Sequence, residues 1–103
     1  MPLLANFRSY TKTTGDPMLW FMPRRLRNWT YREVVDILRE NGFRFSKELG
    51  GSHQAWIKVG EKGEPEIRVE VNFTHKSYPV KTLKTMIRQS GIGEDQWIKW
   101  ANS

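Results

Sequence analysis

The fold is decided first by residues 30–42, TYREVVDILRENG. Thr30 and Glu33 have the spacing of a capping box, in which each side chain accepts a hydrogen bond from the other residue's free backbone N–H group. Apolar residues then recur at i, i+3, i+4 and i+7, which places one face of a helix against a core; they are Tyr31, Val34, Val35 and Leu38. Gly42 supplies a left-handed stop. The stretch therefore predicts a helix over about residues 31–41.

Three segments after this helix alternate between apolar and polar residues, as half-buried strands do. The first is Phe43–Ser46, and Gly50-Gly51 separates it from residues 52–59. In this second segment Ala55, Ile57 and Val59 face one way and Gln54, Trp56 and Lys58 the other. The third has the clearest period of two, with the apolar positions Ile67, Val69, Val71 and Phe73. These segments predict an antiparallel sheet with one apolar face that needs a cover.

A second helix is predicted from Val80, Leu83 and Ile87, with Pro79 in its first turn and Gly91 as its stop. Residues 94–100 are expected to add a short helical turn. The fold class is thus α+β in the order α-β-β-β-α. It is a three-stranded antiparallel sheet with both helices on one face.

The domain organisation follows from order and charge. Residues 1–28 lack a sustained period, contain the turn-forming cluster 11–17, and carry five basic residues against one acidic residue, a net charge of +4. We interpret them as an irregular basic N-terminal arm, and residues 29–103 as the single folded domain.

Composition narrows the class of protein. A net charge of +6 in 103 residues favours a polyanionic partner, of which nucleic acid is the commonest in the cytosol. Cysteine is absent and there are two histidines, so no disulfide, metal site or cofactor is expected. The longest apolar run near the N-terminus, residues 18–22, is too short for a membrane span or a secretory signal, which makes the cytoplasm the expected location.

The first candidate for chemistry is His53, which follows Gly50, Gly51 and Ser52. Glycines at a strand entrance let backbone approach a ligand closely, and a histidine transfers protons near neutral pH. The alternative is a hydrogen-bonded structural histidine. His53 lies two residues before Ala55, on the same face of the predicted strand. This predicts partial burial of His53, unless a bulge at Gly51 turns its side chain away.

The other candidates are basic. Lys81, Lys84 and Arg88 recur at i, i+3 and i+7 at the start of the second helix, where they suit phosphate oxygens or simply face solvent. His75 and Lys76 lie between the third strand and this helix. Tryptophans can stack on bases, but the following four are expected to complete a small core instead: Trp29, Trp56, Trp97 and Trp100.

Taken in order, these segments resemble the HicA toxin family. The resemblance rests on five short runs that together span about residues 30–92: Val34–Leu38, Asn41–Phe43, Gly51–His53, Thr74–Lys76 and Thr82–Ile92. It implies a fold similar to the double-stranded RNA-binding domain, and a metal-independent endoribonuclease that cleaves mRNA and is inhibited by a HicB-type antitoxin. The family's proton-transfer histidine follows a Gly-Ser pair, and the residue at that position in this sequence is His53.

The resemblance also suggests a division of roles. His53 would accept the proton of an RNA 2′-hydroxyl as this oxygen attacks phosphorus, with RNA contacts from Gly51, Ser52, Lys76, Lys81, Lys84 and Arg88. The general acid stays open between His75, a lysine and water. Two other functions remain open as well: a non-catalytic RNA-binding module, and an inactive protein that binds only its antitoxin.

Overall fold

A computed structural model describes residues 25–103. Most of the predicted N-terminal arm therefore lies outside the described residues. The described elements follow the order α1, β1, β2, β3, α2, α3, with these bounds: α1 Tyr31–Glu40, β1 Arg44–Glu48, β2 His53–Lys58, β3 Ile67–Asn72, α2 Val80–Ser90 and α3 Glu94–Ala101. The predicted α-β-β-β-α order and the α+β class are confirmed, and the expected C-terminal turn is a full helix of eight residues.

Local sequence signals set the helix ends. Both halves of the capping box at Thr30 and Glu33 form, and the chain leaves α1 through Gly42 at φ +93°. Helix α2 begins after Pro79 and ends at Gly91, whose φ of +74° lies in the left-handed region that glycine occupies without a Cβ penalty.

The sheet is antiparallel in the order β1-β2-β3. Trp56 lies opposite Val69 in the register, so both side chains share a face with Val71. These three belong to one buried cluster with residues from α1 and α2, including Leu38 and Leu83. Both helices therefore cover the same face of the sheet, and the opposite face is open among the described residues.

The expectation that the tryptophans belong to the core is confirmed. Trp29 and Trp97 are fully buried with ring centroids 5.5 Å apart, and Trp56 is buried below α1, where the Arg39 guanidinium lies 5.1 Å from its ring centroid. Trp100 packs on Trp29 at 5.7 Å and donates a hydrogen bond to Glu40. Trp29, Trp56 and Trp97 are therefore enclosed by the core and unavailable for stacking on bases, while Trp100 is partly buried and packs against that core.

Leu26 shows that the core extends into the last residues of the predicted arm. Its side chain is only 6% exposed and lies in the same cluster as Trp29. The Trp29 indole also donates a hydrogen bond to the carbonyl of Arg25 at 2.8 Å. The segment just before residue 29 therefore contributes packing to the folded domain.

Candidate functional site

His53 is the first residue of β2, and its side chain is exposed on the open face of the sheet. The turn that leads into β2 is closed by the backbone N–H of Leu49, which donates to the carbonyl of His53 at 2.8 Å. Gly51 in this turn has φ +73°, and a Cβ built there would meet no atom within 4 Å. The glycine is therefore needed for its backbone conformation, and the space beside the turn is open.

The predicted partial burial of His53 is wrong, because the helices cover the other face of β2. Apolar residues occur on both faces of this strand, and the helices cover the face that carries Trp56. His53 points the other way with Ala55 and Ile57, while Val59 lies beyond the end of the strand and is 74% exposed. The large Trp56 indole is buried against the helices, whereas on the opposite face the small Ala55 side chain is buried at 1% exposed and His53, at the end of the strand, is exposed.

Asn72 lies directly opposite His53 on β3. The backbone N–H of Phe73 donates to the carbonyl of Ser52, so the next pair, His53 and Asn72, is a non-hydrogen-bonded pair whose side chains stand closest together. The Asn72 side-chain oxygen accepts from both the backbone N–H and the hydroxyl of Thr74, each at 2.8 Å. Its backbone carbonyl accepts from the Tyr78 hydroxyl.

The loop between β3 and α2 returns to this end of the sheet through Tyr78. The Tyr78 side chain is 3% exposed, and burial, with a smaller contribution from nearby Tyr31, raises the pKa of its hydroxyl well above the usual value. It therefore stays a protonated donor to Asn72. His75 is exposed on the same loop, with its ring 5.7 Å from the Tyr78 ring, and Lys76 beside it is also exposed.

Helix α2 starts near this end of the sheet and runs back along β3. The Gln89 side chain accepts a hydrogen bond from the backbone N–H of Glu70, which is two residues before the end of the strand. Lys81 and Lys84 lie in the first two turns of α2, and Arg88 lies roughly 10 Å further along the helix axis than Lys81 at 1.5 Å per residue. All three side chains are exposed, and Lys81 and Lys84 are the two nearer to the start of α2.

The register also brings Lys47 to the open face, a residue that sequence reasoning missed. The pairing of β1 with β2 shifts between Phe45 and Lys47, which marks a bulge at Ser46. Because of this extra residue, Lys47 lies opposite Ala55 and on the same face as His53. Sequence reasoning also missed Asn72, because the sequence does not show which residues of neighbouring strands lie opposite each other.

Neither a metal site nor a membrane-spanning helix is found within residues 25–103. No three His, Cys, Asp or Glu side chains come together there in a group that could hold a metal ion. Over the same residues, none of the helices has the length and apolar character needed to cross a membrane.

The chain matches a model of a known protein family. The family model described as HicA toxin of bacterial toxin-antitoxin matches residues 31–92, from the first residue of α1 to just beyond α2. The match covers more than half of the chain and includes every candidate site residue described above. No curated protein matches the chain.

Proposed function

The chain belongs to the HicA toxin family of bacterial toxin–antitoxin systems, and on that premise we propose that it is a metal-independent endoribonuclease that cleaves mRNA in the cytoplasm, with His53 as the proton-transfer residue. The observation that carries the proposal is the position of His53. Its imidazole is exposed beside an open turn, and within residues 25–103 it has no side-chain hydrogen bond that would explain it as a structural residue.

The reaction we propose is an attack within the RNA strand. His53 accepts the proton of a 2′-hydroxyl, and the 2′ oxygen forms a bond to the adjacent phosphorus. The bond from phosphorus to the 5′ oxygen of the next nucleotide then breaks. The products are a 2′,3′-cyclic phosphate and a 5′-hydroxyl, with the last proton supplied by His75, a lysine or water.

The basic residues at this end of the molecule support binding of the RNA backbone. Lys76, Lys81 and Lys84 are exposed, and the two helical lysines lie in the first turns of α2, where the helix dipole also favours an anion. The turn residues Gly51 and Ser52 leave room for a phosphate next to His53. Arg88, two turns into α2, would contact a more distant phosphate.

The partner we propose is a HicB-type antitoxin. Family membership makes a protein inhibitor the expected partner of a toxin. An exposed proton-transfer residue is easily blocked by a bound protein, which would switch the enzyme off without changing its fold.

Replacement of His53 tests the enzymatic role. We expect His53→Ala to keep the melting temperature and RNA affinity of the wild type, because the side chain is exposed. Its rate of RNA cleavage should fall by about 10²–10⁴, and it should no longer arrest growth. The matched control is His75→Ala, which removes the other exposed histidine and should retain more activity.

The outcomes separate the competing functions. Full cleavage by a folded His53→Ala protein contradicts the proposal. A wild-type protein that binds RNA without cleaving it would be an RNA-binding module, and one that binds only an antitoxin would be an inactive member of the family.

A further inference from the structure

The side-chain amide of Asn72 is held in one orientation. Its oxygen accepts hydrogen bonds from the backbone N–H and the hydroxyl of Thr74, both at 2.8 Å. The bond to the backbone N–H two residues later forms an Asx turn. Because two donors occupy the oxygen, the amide cannot flip without losing both hydrogen bonds. The position of the Asn72 nitrogen is therefore determined by its own turn.

The N–H groups of this amide have no acceptor among residues 25–103. Asn41 and Asn102 both use Nδ2 to donate to a backbone carbonyl four residues earlier, at 2.9 Å and 2.8 Å. Asn72 Nδ2 has no such acceptor among residues 25–103. Its N–H groups are therefore left for a ligand.

The location of this free donor is specific. Asn72 and His53 form a non-hydrogen-bonded cross-strand pair on the open face, so their Cβ atoms are expected about 4.5–5.5 Å apart. A phosphate whose neighbouring 2′-hydroxyl contacts His53 would lie within reach of Asn72. Because Thr74 already occupies the amide oxygen, the amide has its N–H groups left to offer, and these cannot accept the proton that His53 must take.

We propose that Asn72 is a second catalytic residue, whose Nδ2 donates a hydrogen bond to a non-bridging oxygen of the phosphate that is cleaved. The inference rests on the ribonuclease function proposed above. Negative charge builds up on this oxygen as the 2′ oxygen attacks, and a donor already held in place stabilises that charge without reorganising. Thr74 then acts as the positioning residue, because it holds the amide in place.

Two substitutions separate this role from a structural one. Asn72→Asp keeps an oxygen that accepts from Thr74, so the turn survives, but the donor is lost. Asn72→Ser keeps a neutral side-chain oxygen that can form the same kind of turn, and it also lacks the amide N–H groups. Both variants should keep their melting temperature, with kcat reduced about 10- to 1,000-fold and KM little changed. Asn102→Asp, the same change at the far end of α3, should cleave as the wild type does.

The pH profile excludes an effect of charge alone. A carboxylate beside His53 would move the profile along the pH axis, whereas loss of a donor lowers the rate across the whole range. Equal slowing by Asp and Ser at every pH supports the proposal. Wild-type kcat in Asn72→Ser overturns it, even where Asn72→Asp is slow.

The same assay separates the two proposals. With wild type and His53→Ala measured beside the variants, an inactive wild type refutes the ribonuclease function itself. A wild type that cleaves, a His53→Ala variant that does not, and an Asn72→Ser variant at full rate refute only the role of Asn72.

Discussion

Removal of the Tyr78 hydroxyl should weaken the fold and change how its stability depends on pH. In Tyr78→Phe the ring still fills its buried position, but the Asn72 carbonyl loses its donor. An acceptor left unpaired costs about 1–3 kcal/mol. In a domain of this size, each kcal/mol lowers the melting temperature by about 4–8 °C. Chemical denaturation at pH 7 should therefore show a loss of about 1–3 kcal/mol with an unchanged m-value.

The pH dependence follows from the direction of the Tyr78 pKa. Its folded value is raised by burial, so its stabilising contribution is fully present below the unfolded pKa of 10.0. Above this pH the unfolded chain loses the phenolic proton while the folded chain keeps it, and the wild type loses stability as pH rises. Tyr78→Phe lacks this loss, so the difference in unfolding free energy between the two proteins should narrow from pH 9 to pH 11. A difference that stays constant or widens over this range would refute the reasoning.

Two further predictions concern the basic helix and the edge of the core. Lys84→Ala should flatten the slope of log RNA affinity against log salt by roughly one unit, with little change in sequence preference, whereas Lys99→Ala on α3 should leave the slope unchanged. Equal slopes for Lys84→Ala and the wild type would assign Lys84 to a solvated face. A chain beginning at Arg25 should be more stable than one beginning at Arg27 by about 1.5–3 kcal/mol, because the shorter chain lacks buried Leu26; equal unfolding midpoints in urea would contradict the packing described here.

Much of the secondary structure could be predicted because its causes are local. The capping box at Thr30, the left-handed Gly91 after α2 and the strict alternation of β3 each act within a few residues, and each is found where the sequence places it. The resemblance that runs through Gly51–His53 was likewise confirmed by the family match over residues 31–92. His53 could therefore be named as a candidate from the sequence, although its exposure could not be predicted.

The tertiary structure decided which face each strand presents and which residues meet. Both faces of β2 carry apolar residues, and both Ala55 and Trp56 are buried, so periodicity cannot tell which face the helices cover. Only packing against the helices places Trp56, and not Ala55, in the core cluster. The bulge at Ser46 moves Lys47 to the open face, and strand register places Asn72 opposite His53. Register depends on contacts between residues far apart in the chain, and a shift of one residue reverses every side chain. For that reason the sequence could suggest a candidate histidine, while only the folded sheet shows which residues surround it.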